Sequence, residues 1–270
     1  MDLSMTTDYA TGTGSPEPYL RRIAAAGFTH LHWCHQWNTD FLYSRYEIDQ
    51  IARWLDEYGL RLLDLHGSAG VEKKWVSTTE YVRLAGVELV ANRVEMTARL
   101  GGRVTIMHLP AEPTDADLAE AYWDTIRRSL DALAPVCRGA GVRIAIENGH
   151  MDVVSRVLDE SDPGLVGLCY DSGHGNASGV GLDYLARLQD RLVSVHLHDN
   201  DGLSDQHKPM FTGTVDWERL AGIVARSSYE GPVSQELSMR LSGYVDEDAF
   251  LAQALADGER LTEMIAARRG

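Results

Sequence analysis

The run SVHLHDNDGLSDQHKP, residues 194–209, gathers three His, three Asp, one Asn and one Lys directly after an apolar stretch. Imidazole and carboxylate are the common donors to divalent cations. His-rich sets suit zinc, and mixed His and carboxylate sets also suit manganese or cobalt. Further donors stand at the ends of other short apolar runs: His66, His108, Glu147, Asp171 with His174 three residues on, His196 and Glu236, while Asp205 and His207 lie in the loop after His196. Any one of these His residues reads equally well as a hydrogen-bonded core residue. The recurrence over six consecutive runs points instead to a shared metal site. Carboxylates gathered in one buried place repel one another and lose hydration, and a divalent cation removes both costs.

Donors so far apart in sequence meet only if a regular scaffold aligns the ends of the runs. The apolar runs are 28–35, 60–66, 103–109, 143–147, 165–171, 192–198 and 231–237, with LSMTTDYA at the start as a weaker first strand. Amphipathic segments alternate with them at 16–26, 44–58, 79–100, 115–139, 151–161, 181–190, 214–228 and 247–268. Pro16, Pro110 and Pro113 lie near helix starts, and Gly27, Gly59, Gly141 and Gly231 follow helices, as helix punctuation requires. Eight strands each followed by a helix predict a single α/β domain over residues 1–270, a (β/α)8 barrel. An open doubly wound sheet is the alternative, weakened because no GxGxxG follows the first strand. In a barrel, the C-terminal strand ends form one mouth, and the donors point into it.

Composition narrows the partners. The chain has 25 Lys and Arg against 40 Asp and Glu, a net charge of −15. Such a surface repels nucleic acid and anionic lipid at long range. No apolar stretch reaches the roughly 18 residues of a membrane span. The opening MDLSMTTDYATG has neither the basic nor the apolar region of a signal peptide. Cys34, Cys137 and Cys169 are unpatterned, which fits a reducing cytoplasm.

Five segments, IENGH (146–150), YDSGHGN (170–176), HLHDNDG (196–202), DQHKP (205–209) and QEL (235–237), occur in an order that resembles the xylose-isomerase-like TIM-barrel superfamily. That group includes sugar and sugar-phosphate isomerases and epimerases, inosose dehydratases and endonuclease IV. The resemblance runs over essentially the whole chain. For the sugar enzymes it implies a metal held by Glu147, Asp171, His196 and Glu236. His174 fits the DxxH pattern, and His198 is the weaker ligand candidate because the HxxD pattern falls on His196 and Asp199. Endonuclease IV implies three zinc ions: one on His66, His108 and Glu147, a second on Glu147, Asp171, His196 and Glu236, and a third on His174, Asp205 and His207. The cofactor expected is therefore a divalent metal, Mn or Zn, in one to three copies.

Two reactions compete. In an isomerase or epimerase, Glu147 and Glu236 pass a proton at a carbon beside a carbonyl, with a metal-stabilised enediolate between. In a phosphodiesterase, a metal-bound hydroxide attacks phosphorus. A barrel that keeps the metal only as a staple is a third reading. The acidic balance favours a small sugar-like substrate over DNA. So does the loop HQWNTDFLYSRY (35–46), whose Trp37, Phe41, Tyr43 and Tyr46 could wall a sugar ring, pack the barrel mouth or meet a second copy in a homo-oligomer. The chain has only three Lys, and Lys73, Lys74 and Lys208 all fall in predicted mouth loops, where they could hold a substrate phosphate or carboxylate. His150 and His198 are further substrate-binding candidates, Asn148 could bond substrate or orient a ligand, and Glu72 to Trp75 could form a lid. His30, His32 and His35 read as barrel filling.

Overall fold

The computed structural model describes residues 1–269. Its elements in chain order are β1 (Leu3–Thr6), α1 (Glu17–Ala26), β2 (His30–Trp33), α2 (Arg45–Tyr58), β3 (Arg61–His66), α3 (Glu80–Arg99), β4 (Val104–Met107), α4 (Ala116–Ala140), β5 (Arg143–Glu147), α5 (Met151–Glu160), β6 (Val166–Asp171), α6 (Ser172–Ser178), α7 (Gly181–Leu188), β7 (Leu192–His196), α8 (Trp217–Arg226), β8 (Val233–Gln235) and α9 (Glu247–Ala266). The strands pair in parallel in the order β7-β6-β5-β4-β3-β2-β1-β8. A single parallel bridge, Leu197 to Gln235, joins the two ends of that ladder and closes a (β/α)8 barrel.

Strand periodicity of two sets which residues reach the site. On β5 and β6, Ile144, Ile146, Leu168 and Tyr170 belong to the apolar layer under the helices. Their alternates Ala145 and Cys169 join Val104 and Ile106 of β4 in a separate small cluster inside the barrel. Two residues further along each strand, the inward parity falls on His108, Glu147 and Asp171. The same parity gives His66 after Asp64, His196 after Ser194 and Glu236 after Ser234. The polar groups therefore form a layer above a short apolar plug.

Gly27, Gly59 and Gly141 end α1, α2 and α4 in the left-handed conformation, at φ 107, 66 and 67. Gly231 has no such role: α8 ends at Arg226 with Ser227 as its cap. Ser44 and Glu47 form a reciprocal capping box at the start of α2. The sequence reading missed α6, SGHGNAS, because two glycines in seven residues argue for a loop. It forms because the Asp171 carboxylate accepts the His174 N–H at its first turn. Its glycines are required by packing: a Cβ on Gly173 would lie 1.9 Å from the His198 ring, and one on Gly175 2.2 Å from the Tyr170 hydroxyl.

Candidate metal centre

At the mouth, the side chains of Glu147, Asp171, His196 and Glu236 bring one donor atom each within 4.8 Å of one another. His196 Nδ1 lies 2.8 Å from Glu236 Oε2 and 3.3 Å from Glu147 Oε2. Among the described residues, Oε2 of Glu147, Oε2 of Glu236 and both ring nitrogens of His196 are buried without a hydrogen-bond partner. Buried carboxylates left so are expensive. Four donors of this type facing one another fit a divalent cation.

Two further sets flank this one. His66 Nε2 and His108 Nε2 are 3.1 Å apart, and each approaches Glu147 Oε2, at 3.5 and 3.4 Å. On the other side, Asp205 lies 3.1 Å from His207 Nε2, 3.4 Å from His174 Nε2 and 3.5 Å from His198 Nε2. His198, Asp205 and His207 form the tighter trio. This places His198 in the set that the sequence reading completed with His174. Its ring is also bonded to Asp171 Oδ2 at 3.0 Å and stacked on His207 at 4.1 Å.

The far nitrogens of three imidazoles are tied to backbone carbonyls. His66 Nδ1 donates to Gly67 O, His174 Nδ1 to Asn148 O and His207 Nδ1 to Glu236 O, at 3.2, 2.9 and 2.8 Å. Each neutral ring must then turn a bare Nε2 toward a carboxylate. Lone pair facing lone pair is stable only with a proton or a metal between them, and such outer hydrogen bonds fix metal-binding tautomers generally. His207 is held for this purpose at φ 47, unusual for a non-glycine residue.

The electrostatics agree. Burial raises the Glu147 carboxyl, but His108 and His196 outweigh it and hold it well below the usual carboxylate range. Glu236 is lowered against burial chiefly by His196. Burial opposes charge on His174 and His207, yet neighbouring carboxylates, Asp171 for the first and Asp205 for both, raise them to about 11 and about 10. His108 moves the other way, lowered by burial. In metal-free protein, protons do part of the work of the cation.

A cavity of about 260 Å³ opens over these groups, lined by Asp8, Trp37, Leu237 and Ser238 as well as the donors. Trp37 is the one aromatic of its loop on that wall, its ring 4.5 Å from His66. Tyr43 is buried in the core, while Phe41 and Tyr46 face outward. No Lys or Arg lines the cavity among the described residues. Lys208 pairs through its backbone with Asp199. The Lys73 N–H is bound, with those of Val71 and Glu72, by the Asp40 carboxylate. Trp75 is buried, which anchors the segment read as a lid. His150 is exposed before α5. Asn148 clasps the backbone N–H and carbonyl of Asp171 and so orients that residue.

Asp199, the second half of the HxxD pattern, turns away from the donors. Its carboxylate accepts from the N–H groups of Asn200 and Val215 and from Trp217 Nε1, at 3.0, 3.1 and 2.9 Å. Asp199→Ala should therefore cost roughly 3 kcal/mol of stability by stranding buried donors, with metal content per folded molecule unchanged. Denaturant melts and elemental analysis check this; loss of metal at unaltered stability would contradict it.

A family model described as xylose isomerase-like TIM barrel matches residues 20–255. The chain belongs to that family. Among its xylose isomerase-like relatives is the uncharacterized protein y4fM of Sinorhizobium fredii, 30% identical over 280 residues that cover 93% of this chain and 89% of that one. The crystal structure of a D-tagatose 3-epimerase-like protein matches with a TM-score of 0.80 at 19% identity, over 99% of this chain and 98% of that one. The IOLI protein with a binding zinc atom matches with a TM-score of 0.73 at 15% identity, over 99% of both chains. The two structural likenesses show the fold. No helix among the described residues is long and apolar enough to cross a membrane.

Proposed function

We propose that the chain is a divalent-metal-dependent isomerase or epimerase of an unphosphorylated sugar or polyol. The observation that carries this reading is the pair of buried, unpartnered carboxylate oxygens of Glu147 and Glu236 on either side of His196, under a small cavity with no cationic wall. The epimerase-like and zinc-binding neighbours support it by their names. Glu147, Asp171, His196 and Glu236 would hold the central ion. His66 and His108, and His207 and Asp205 with His174 or His198, could hold up to two more. Manganese and zinc both suit this donor set. When bound, the ion supplies positive charge to a substrate carbonyl and its neighbouring hydroxyl.

Glu147 or Glu236 takes the proton from the carbon beside the carbonyl, and the other returns one to the opposite face or the adjacent carbon. Trp37 covers the ring and excludes water. The cavity, below the ~300 Å³ at which drug-sized ligand sites begin, suits a monosaccharide. The second reading, a multi-zinc phosphodiesterase, draws on the two flanking donor sets. It lacks the electropositive track that gripping a nucleic-acid backbone requires.

The test is a panel of ketoses, aldoses and inosose-type substrates turned over in heavy water and read by NMR, run beside a nicking assay on duplex DNA with one abasic site. Deuterium at one substrate carbon, or formation of the epimer or isomer, is the expected result. Metal-dependent nicking with no exchange across the panel would replace this reading with the second.

A further inference from the structure

Three groups behind the central donors have no part in the chemistry above: His32, Asp64 and Ser194. All are fully buried in the barrel interior and none lines the cavity. Aliphatic side chains usually fill this position in a barrel, so a charged group here needs a reason. Asp64 Oδ1 accepts from His32 Nδ1 at 2.7 Å, and Oδ2 accepts from the Ser194 hydroxyl. Oδ2 is also the one carboxylate oxygen within 4.0 Å of His196 Nε2 among the described residues, at 3.5 Å. Contacts of this length are common at a site before its ligand arrives, and they tighten with it.

We infer that Asp64 is a positioning residue that selects the tautomer of His196, keeping the proton on Nε2 so that Nδ1 is the atom offered to the metal. The inference rests on the metal reading above. Each nitrogen of His196 faces carboxylate, but the surroundings differ. Nδ1 faces Glu147 and Glu236, which are themselves candidate ligands with an unpartnered oxygen each. Nε2 faces Asp64, which lies outside the cavity and is already engaged by two donors. A carboxylate in that place can only receive a proton-bearing nitrogen, so the bare nitrogen must be the other one.

His32 belongs to the support. Its Nδ1–H is spent on Asp64, and its Nε2 lies 2.8 Å from Cys34 Sγ, where it can accept the thiol proton. Its ring lies 3.9 Å from that of His196 and fixes it by contact. His32, His196 and Glu236 are close enough together to form a ligand set. The thiol at Nε2 argues that His32 backs the site from behind and does not enter it.

Asp64→Asn separates this role from simple packing, because the amide keeps the shape and offers N–H where the carboxylate offered oxygen. It should drive His196 to the Nδ1–H tautomer, as an Asp-to-Asn change beside a catalytic His does elsewhere. Long-range proton–nitrogen correlation spectra of the wild type, with and without zinc, should show Nε2–H and a zinc-induced shift on Nδ1. Zinc affinity should fall about 10- to 100-fold in Asp64→Asn, the usual effect of losing such a partner, and less in Ser194→Ala. A zinc shift on Nε2 of the wild type, or unaltered zinc affinity in a folded Asp64→Asn, overturns the inference and leaves the metal reading standing. A wild-type protein that binds no zinc, manganese or cobalt overturns both. The wild-type spectra decide the tautomer even if Asp64→Asn fails to fold.

Discussion

Glu147→Gln and Glu236→Gln should each lower turnover by roughly 10²- to 10⁴-fold, the range a positioned acid or base contributes. The unfolding midpoint should move by only a few degrees. The amide keeps the volume of the carboxyl and one oxygen that can still face a cation, so the site should retain metal at reduced affinity. It cannot accept a proton from carbon. The two variants should also differ. Glu147 is shared between the central donors and the His66–His108 pair, so its loss should lower the number of ions bound. Glu236 is touched by one set and should lose proton transfer with stoichiometry intact. Elemental analysis beside isotope exchange in heavy water reads both effects. Full exchange in either variant would remove that residue from the proton path.

Metal removal should have the second large effect. Chelation should abolish turnover, and manganese, cobalt or zinc should restore it. Saturation at about 100 times the dissociation constant stabilises a fold by roughly 2.7 kcal/mol. For a chain of this size that corresponds to a fall in melting temperature of about 5–10 °C on stripping. The size of the fall should depend on pH, and its sign follows from the site. The raised His174 and His207, at about 11 and about 10, stabilise the metal-free fold fully below the unfolded histidine value of ~6.5, and that help is lost as pH rises toward their folded values. Asp205 is lowered by His174 and His207 against burial. Its contribution is present above the unfolded value of ~3.9 and is lost in acid. A metal displaces the two imidazole protons. The melting gap between loaded and stripped protein should therefore widen from pH 6 to pH 9, with protons released on loading. A gap independent of pH would mean that the metal does not compete with these histidines.

Much of this site could be read from the sequence because one geometric rule carries it. Once β5 is recognised as RIAIE, parity sends Ala145 and Glu147 inward, and the same step gives Asp171, His196 and Glu236. The family resemblance then supplied grouping that parity cannot. Features that depend on register between strands stayed hidden. Asp64 meets His32 and Ser194 only because β2, β3 and β7 face across the barrel, with a register shift at Leu31/His32. His32 therefore read as filling. Loop geometry was equally opaque: His198 leaves the ladder after His196, turns under Gly173 and joins Asp205 and His207. Lys73 and Lys208 were placed by loop position, and backbone bonds to Asp40 and Asp199 hold them off the cavity wall. The helix α6 was missed because its cap and its neighbours, not its own propensity, make it helical.

The seam of the barrel gives the metal a mechanical meaning. Strands β7 and β8 are joined by one bridge, through the bonds from Leu197 N–H to Ser234 O and from Glu236 N–H to Leu197 O. His196 and Glu236 stand on opposite sides of that joint. An ion gripped by both is a clasp on a hoop, holding circumference where the backbone holds it least. Strain at the seam and occupancy of the mouth then become one variable, and the chain loses its grip on substrate where its ring is easiest to open.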